Sequence, residues 1–253
     1  MHGFRFFQYP NALLTVSLCT IELLFCFFAW RAFNPGDALC NAWLCLMLAS
    51  GAHFTGRLIS QVLFRIAGPA AGPVLYRVGV FFGGPAQMFL MLFGLLSVAR
   101  ICRRAGLVSR ITAFDYVVLV LVAANAMHSI YEIREYITDG KPITWLQVLK
   151  WPADPLMIVL LTIAIPIRRS VVSMGRGFIA SCWAAYVAAI VFVSLGDISL
   201  LLMRTTYIPW RFATLGWYVW FLADAAFALA PAYQVAAVER ARFRSELSLA
   251  VSP

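Results

Sequence analysis

The sequence predicts an all-α fold, a polytopic membrane bundle of seven transmembrane helices. Of the 253 residues, 62% are hydrophobic and 12% are charged, whereas soluble globular domains are about 45–50% apolar. The mean hydropathy is +0.84. Apolar stretches of about 20 residues, the length that crosses a bilayer, recur seven times along the chain. Because the connecting loops are short, we expect one membrane domain and no separate soluble catalytic domain.

Seven apolar segments follow one another, separated by charged residues or by glycine and proline. We number them segments 1 to 7 and place them at about residues 12–32, 38–60, 74–99, 112–134, 145–167, 178–203 and 210–236. Residues 1–237 are expected to form the transmembrane domain and residues 238–253 a basic cytoplasmic tail. Arg5 is the only charged residue before a full-length apolar segment. This is not the pattern of a cleavable signal peptide.

Arginine is concentrated on one side of the predicted bundle. Cytoplasmic loops of membrane proteins carry an excess of Lys and Arg, and three such clusters follow segments 3, 5 and 7: Arg100, Arg103, Arg104 and Arg110; Arg168, Arg169 and Arg176; Arg240, Arg242 and Arg244. The N-terminus is therefore expected outside and the C-terminus inside. Arg57, Arg65 and Arg77, near the second loop, fit this orientation less well.

The same clusters account for the formal net charge of +9. Attraction to anionic lipid explains a basic cytoplasmic face, so no nucleic-acid partner is required. We expect the lipid bilayer as the main partner, in a bacterial inner membrane, with a cytoplasmic signalling protein or other membrane subunits as further candidates.

An acid, an amide or a histidine lies within each predicted segment. These residues are Glu22, His53, Gln87, His128, Asp154, Asp197 and Asp224. An ionisable group at the bilayer centre costs about 2.5–3.5 kcal/mol on insertion scales, so such groups usually face the protein interior and mark a site. Each is expected roughly ten residues, or about 15 Å, from the outer membrane face. We expect them to form one polar layer.

Short triplets around these residues suggest an internal repeat. The odd segments carry Pro85-Ala86-Gln87, Pro152-Ala153-Asp154 and Leu222-Ala223-Asp224, and the even segments carry Gly51-Ala52-His53, Ala126-Met127-His128 and Leu195-Gly196-Asp197. Segments 2 and 3, 4 and 5, and 6 and 7 would then be three repeated helix hairpins, with segment 1 added. Pro85 and Pro152 precede the polar residues and favour kinks.

Imidazoles and carboxylates on neighbouring helices form a suitable ligand set for a divalent transition metal. The primary candidate ligands are His53, His128, Asp154, Asp197 and Asp224, and the secondary candidates are Glu22, Gln87, Arg57 and Glu132. Haem b held by the two histidines is the less favoured alternative. Retinal is not expected, because the only lysines, Lys141 and Lys150, lie near the predicted start of segment 5.

A purely structural role is the competing interpretation. Arg57 and Glu132 each follow a histidine by four residues and share its helical face, so an ion pair between them would clasp segments 2 and 4. The six cysteines contain no CxxC pair and are expected to act mostly as small apolar residues. An exception is Cys19, which shares one helical face with Glu22 and Cys26.

The motifs around the histidines resemble those of the MHYT family of bacterial membrane sensor domains. The resemblance rests on Gly51-Ala52-His53-Phe54-Thr55-Gly56 and Ala126-Met127-His128. It implies repeated helix pairs, a copper or small-gas ligand near the outer face, and signalling output on the inside. The sequence departs from the family's pattern at Ala52 and Arg57, where methionines are usual, and at Asp197, where a histidine is usual.

Four functions remain open on the sequence alone. The first is a sensor or accessory membrane module that binds a metal ion or small ligand at the polar layer. The second is a proton- or ion-coupled transporter. The third is a membrane-embedded metal-dependent enzyme, which is disfavoured because the sequence offers no catalytic nucleophile or base. The fourth is a structural subunit of a membrane complex.

Overall fold

The computed structural model describes residues 3–107, 110–140, 142–175, 177–205 and 213–251. The side chains of some residues inside the helices, among them Asp154, lie outside this description. Every regular element in the described ranges is helical. Seven helical spans are long and apolar enough to cross a membrane. The predicted all-α bundle of seven spans is therefore confirmed, and the chain is a multi-pass membrane protein in contact with lipid.

The helices follow the predicted segments closely. They are α1 (Gly3–Arg31), α2 (Ala38–Leu58), α3 (Phe64–Ile66), α4 (Gly68–Phe81), α5 (Gln87–Arg104), α6 (Ala113–Thr138), α7 (Trp145–Ser173), α8 (Phe178–Thr205) and α9 (Ala213–Val251). Segment 1 is α1, segment 2 combines α2 and α3, segment 3 combines α4 and α5, and segments 4 to 7 are α6 to α9.

Six of the seven segments form a closed ring. Going round it, α1 packs on α2, α2 on α5, α5 on α7, α7 on α8, α8 on α9, and α9 returns to α1. Fully buried side chains fill the ring, including Trp43, Leu95, Leu160 and Phe227. Segments 2 and 3, 4 and 5, and 6 and 7 are packed neighbours, but a repeat among these hairpins remains a prediction.

Segment 4 lies outside the ring. Its helix, α6, packs against α7, and only Val118 and Ser129 are buried along its length. A capping box between Thr112 and Asp115 begins the helix, satisfying backbone donors that the first turn leaves unpaired. The Asp115 carboxylate also binds Arg169 of α7, with Nη1–Oδ2 at 2.5 Å. This ion pair fastens one end of α6 to the ring.

Segments 2 and 3 cross with their backbones in contact. A Cβ added at Gly56 would collide with the backbone of Gly83, and one added at Gly79 would lie 2.6 Å from the Ser60 nitrogen. Small residues allow membrane helices to approach this closely. Both segments contain a π-helical turn beside the crossing, Ile59–Leu63 and Phe82–Ala86. The second turn contains Pro85, so the helix is irregular at a proline where a kink was predicted.

Candidate metal centre

The polar centre of the bundle is formed by three neighbouring helices of the ring. Helix α1 contributes Cys19 and Glu22, α2 contributes His53 and Arg57, and α9 contributes Asp224. Glu22, His53 and Asp224 are each 2% exposed, and Cys19 is fully buried. Because lipid and apolar side chains cannot solvate these groups, they must satisfy one another.

His53 is the hub of this centre. Its Nδ1 atom lies 2.9 Å from Oε2 of Glu22, and its Nε2 atom lies 3.4 Å from Oδ1 of Asp224. The Cys19 sulfur lies 3.8 Å from both ring nitrogens. One imidazole thus contacts α1 on one side and α9 on the other.

Arg57 lies one helical turn beyond His53 and completes the centre. Its Nε donates to His53 Nε2 at 3.2 Å, and its Nη2 donates to Asp224 Oδ1 at 3.3 Å. The Arg57 side chain is 21% exposed and also interacts electrostatically with Asp197 of α8. Since Asp197 is itself exposed, Arg57 links the buried carboxylate to an accessible one.

The contacts of His53 define two arrangements of its proton. A neutral imidazole carries a proton on one nitrogen and a lone pair on the other. With the proton on Nδ1, the ring donates to Glu22 and accepts from Arg57. With the proton on Nε2, the ring donates to Asp224, Arg57 Nε loses its acceptor, and the Nδ1 lone pair faces the Glu22 carboxylate, which has no proton to donate. The second tautomer therefore requires a proton or a cation between Nδ1 and Glu22.

Hydrogen bonds continue from Glu22 along the inside of the ring. Ser50 donates to Glu22 Oε1 at 2.7 Å, and the Cys26 sulfur lies 3.1 Å from the Ser50 oxygen. The hydroxyl of Tyr186 on α8 lies 4.0 Å from the same sulfur. The polar centre is thus the end of a longer chain of contacts rather than an isolated layer.

Three of these side chains could together hold a metal ion. Donor atoms of Cys19, Glu22 and His53 all lie within 4.8 Å of one another, and all three residues are buried. Thiolate sulfur, imidazole nitrogen and carboxylate oxygen are the ligand types of protein zinc sites. All six cysteines are free thiols, so Cys19 is available as a ligand.

The structure brings together some of the residues proposed from the sequence. His53 and Asp224, both primary candidates, are in contact, and the secondary candidates Glu22 and Arg57 join them. Asp197 approaches from α8 through its interaction with Arg57. Gln87 is buried at the start of α5, which packs on α2.

Other proposed residues are not part of this cluster. His128 is exposed on α6, outside the ring, so the two histidines do not face each other across one layer. The side chain of Asp154 lies outside the described residues. The expected clasp required segments 2 and 4 to pack together, but α6 packs on α7. Arg57 binds His53 and Asp224 instead, and the partially buried Glu132 lies on α6.

The sequence indicated Cys19 only as a residue on the same helical face as Glu22, and it did not indicate Ser50 or Tyr186. Serine and tyrosine are common in membrane helices, so their residue types alone do not predict a functional site. The i, i+3 spacing of Cys19 and Glu22 was the available signal, since it places both on one helical face. Comparison of the chain with protein-family models, with curated proteins and with solved structures gave no match.

Proposed function

We propose that this protein binds a divalent transition metal ion, with Zn²⁺ the best fit, through Cys19, Glu22 and His53. It would act as a sensor or accessory module of a bacterial inner membrane. The observation that carries the proposal is the convergence of three different donor atoms within 4.8 Å in a buried position. The resemblance of the His53 motif to bacterial sensor domains is consistent with this role.

The spacing of the donor atoms supports a metal of this size. Bonds of about 2.0–2.3 Å in a tetrahedral site separate nitrogen, oxygen and sulfur ligands by about 3.3–3.6 Å. The sulfur of Cys19 is 3.8 Å from His53 Nδ1, and Nδ1 is 2.9 Å from Glu22 Oε2. These values lie on either side of the required spacing, so small side-chain movements suffice to form the site.

The charge of the centre is compatible with a divalent ion. With a neutral imidazole and a neutral thiol, Glu22 and Asp224 outnumber Arg57 and leave one net negative charge in the buried centre. A proton on the second nitrogen of His53 balances this charge, and a divalent cation bound with a Cys19 thiolate balances it equally, with release of the thiol proton. A neutral centre is favoured inside a membrane because an uncompensated charge there is costly.

Asp224 supplies the outer contact that such a site requires. A metal-binding histidine usually donates its other ring N–H to a carboxylate, which fixes the orientation of the ring. When His53 binds the ion through Nδ1, the remaining proton lies on Nε2, which faces Asp224 at 3.4 Å. Arg57 Nε must then give up its bond to His53. Metal binding would therefore change the hydrogen bonds of Arg57, which lies beside the crossing of segments 2 and 3.

Metal analysis of purified protein tests the proposal. Protein stripped with a chelator and reloaded with Zn²⁺ should retain one ion per chain after desalting, and Cys19→Ala, Glu22→Gln and His53→Gln should each lower retention. Replacement by Co²⁺ should give a thiolate-to-metal absorption band that Cys19→Ala abolishes. Thermal unfolding of each variant would separate loss of metal from loss of fold.

Matched controls make the test specific. Cys182→Ala removes another fully buried cysteine, and His128→Gln removes an exposed histidine; both should leave metal retention unchanged. Wild-type protein without tightly held Zn²⁺, Mn²⁺, iron or copper would sink the proposal, as would equal losses in Cys19→Ala and Cys182→Ala. In that case the centre is a structural hydrogen-bond network.

Proton-coupled transport is a second candidate, favoured by the chain of contacts from Arg57 to Tyr186. On α8, Asp197 and Tyr186 are separated by about 16 Å along the helix axis, so the polar groups extend along the bundle. Glu22 is the central carboxylate of this chain. The lumen of proteoliposomes should then acidify under an imposed inside-negative potential, and Glu22→Gln should abolish the proton flux. Equal flux in wild type and variant would exclude this function.

A further inference from the structure

The exposed histidine of α6 is a polar residue that the metal centre does not use. Helix α6 spans Ala113–Thr138, and His128 lies about 4 Å along the axis from its midpoint. The side chain is exposed, and the part of the chain that the structure describes supplies no hydrogen bond or ion pair to it. An imidazole facing hydrocarbon near the bilayer centre is costly, and such residues normally face another protein surface.

A continuous seam runs through His128 along the exposed side of α6. Its positions repeat at alternate spacings of three and four residues: Phe114, Val117, Leu121, Ala124, His128, Tyr131 and Glu135, all exposed. This is the a and d pattern of a two-helix coiled coil, in which a polar residue at an a position can set the register. The residues that face α7, such as Val118 and Ser129, lie on a different side.

The chemistry of the seam fits a second copy of the same helix. Two copies inserted in one membrane share one orientation, so a two-fold contact brings equal depths together. A neutral imidazole has one donor and one acceptor, so a histidine can hydrogen-bond to its own symmetry mate. Near the end of the helix, Glu135 comes opposite Glu135 of the second copy, and exposed Arg134 beside it can offset the repulsion between the two carboxylates. Ala124, one turn before His128, allows close approach.

We propose that the chain forms a parallel homodimer through α6, with His128 paired to His128 of the second copy. This pairing gives segment 4 a partner outside the ring and covers the exposed imidazole of His128. It is independent of the metal centre, which lies between α1, α2 and α9. Each protomer therefore keeps a complete site.

Cross-linking in native membranes tests the seam. Ala124→Cys lies on the seam and Ala123→Cys lies on the adjacent exposed face. A short membrane-permeant bis-maleimide should yield dimers of the first variant and far fewer of the second, and the parent with its six native cysteines gives the background. Equal cross-linking of the two variants, or cross-linking only to a different polypeptide, would overturn the proposal.

Dimerisation in liposomes tests the role of His128. Energy transfer between labelled copies, followed as lipid dilutes the protein, gives the dissociation constant. Interhelical hydrogen bonds in membranes contribute about 0.6–1.7 kcal/mol, so His128→Leu should raise that constant roughly three- to twenty-fold. His128→Asn keeps a donor and an acceptor and should bind nearly as wild type. A monomeric wild type, or His128→Leu that dimerises unchanged, would refute the inference.

Discussion

The ion pair between Arg57 and Asp224 joins the second segment to the seventh and can be measured by a double-mutant cycle. The single variants are Arg57→Met and Asp224→Asn, and the third variant combines them. The guanidinium and carboxylate atoms are 3.3 Å apart, so the gross Coulomb attraction is about 5 kcal/mol at an effective dielectric constant of about 20. Desolvation of both groups offsets much of this attraction.

The expected coupling is smaller than the gross attraction. Arg57 is 21% exposed and retains Asp197 as a second charge partner, so Asp224→Asn does not leave it wholly unpaired. We expect each single variant to lower the free energy of unfolding by about 2–4 kcal/mol. The double variant should lower it by about 1–2 kcal/mol less than the sum, within the usual range for contacting residues.

Equilibrium unfolding in mixed micelles, followed by circular dichroism as sodium dodecyl sulfate is added, measures these free energies. The pair Glu239 and Arg242 of α9 is the control, since the two groups lie 3.1 Å apart but are 64% and 55% exposed. Its coupling should be at most about 0.5 kcal/mol. Additive effects at Arg57 and Asp224, or coupling no larger than in the control, would show that this buried pair does not stabilise the contact between segments 2 and 7.

Three further predictions follow from the packing and the orientation. Gly56→Leu should destabilise the protein by about 1–3 kcal/mol or prevent folding, because the crossing has no space for a side chain. At Gly84 a Cβ meets open space, so Gly84→Ala should be neutral or stabilising by about 0.5–1 kcal/mol. Unfolding in detergent measures both variants, and equal effects would contradict the close backbone contact at Gly56. A membrane-permeant maleimide should label Cys45 and Cys102 before unfolding, while the buried thiols should react only afterwards, as read by peptide mass spectrometry; these are Cys19, Cys26, Cys40 and Cys182. Fusion of alkaline phosphatase to the C-terminus should give an inactive reporter and fusion of green fluorescent protein a fluorescent one, and the reverse pattern would refute a cytoplasmic C-terminus.

Composition and spacing were sufficient to predict the spans, because a bilayer requires apolar helices of nearly fixed length. They were sufficient to pair segments within hairpins, but not to predict how the hairpins are arranged around the bundle. Segment 4 has the same length and hydropathy pattern as the ring helices, yet α6 packs on α7 and leaves most of its surface exposed. Helices in lipid have no hydrophobic force that distinguishes one neighbour from another, so close packing and a few polar contacts decide the arrangement.

The same limit applied to the candidate site. The rarity of charged residues inside apolar segments was enough to single out His53, Glu22 and Asp224, because their cost demands partners. Depth alone could not separate His53 from His128, since both lie near the middle of their membrane spans. What separates them is the direction of the side chain, and that depends on how each helix is rotated against its neighbours.

The closure of the ring by α9 against α1 has a consequence for how the protein is made. Arg57 and Asp224 are 167 residues apart in sequence, and Glu22 and His53 enter the membrane well before their last partner is synthesised. Until then, Arg57 and His53 lack their shared buried carboxylate. The last segment therefore completes both the ring and its polar centre, and a chain that stalls before it has neither.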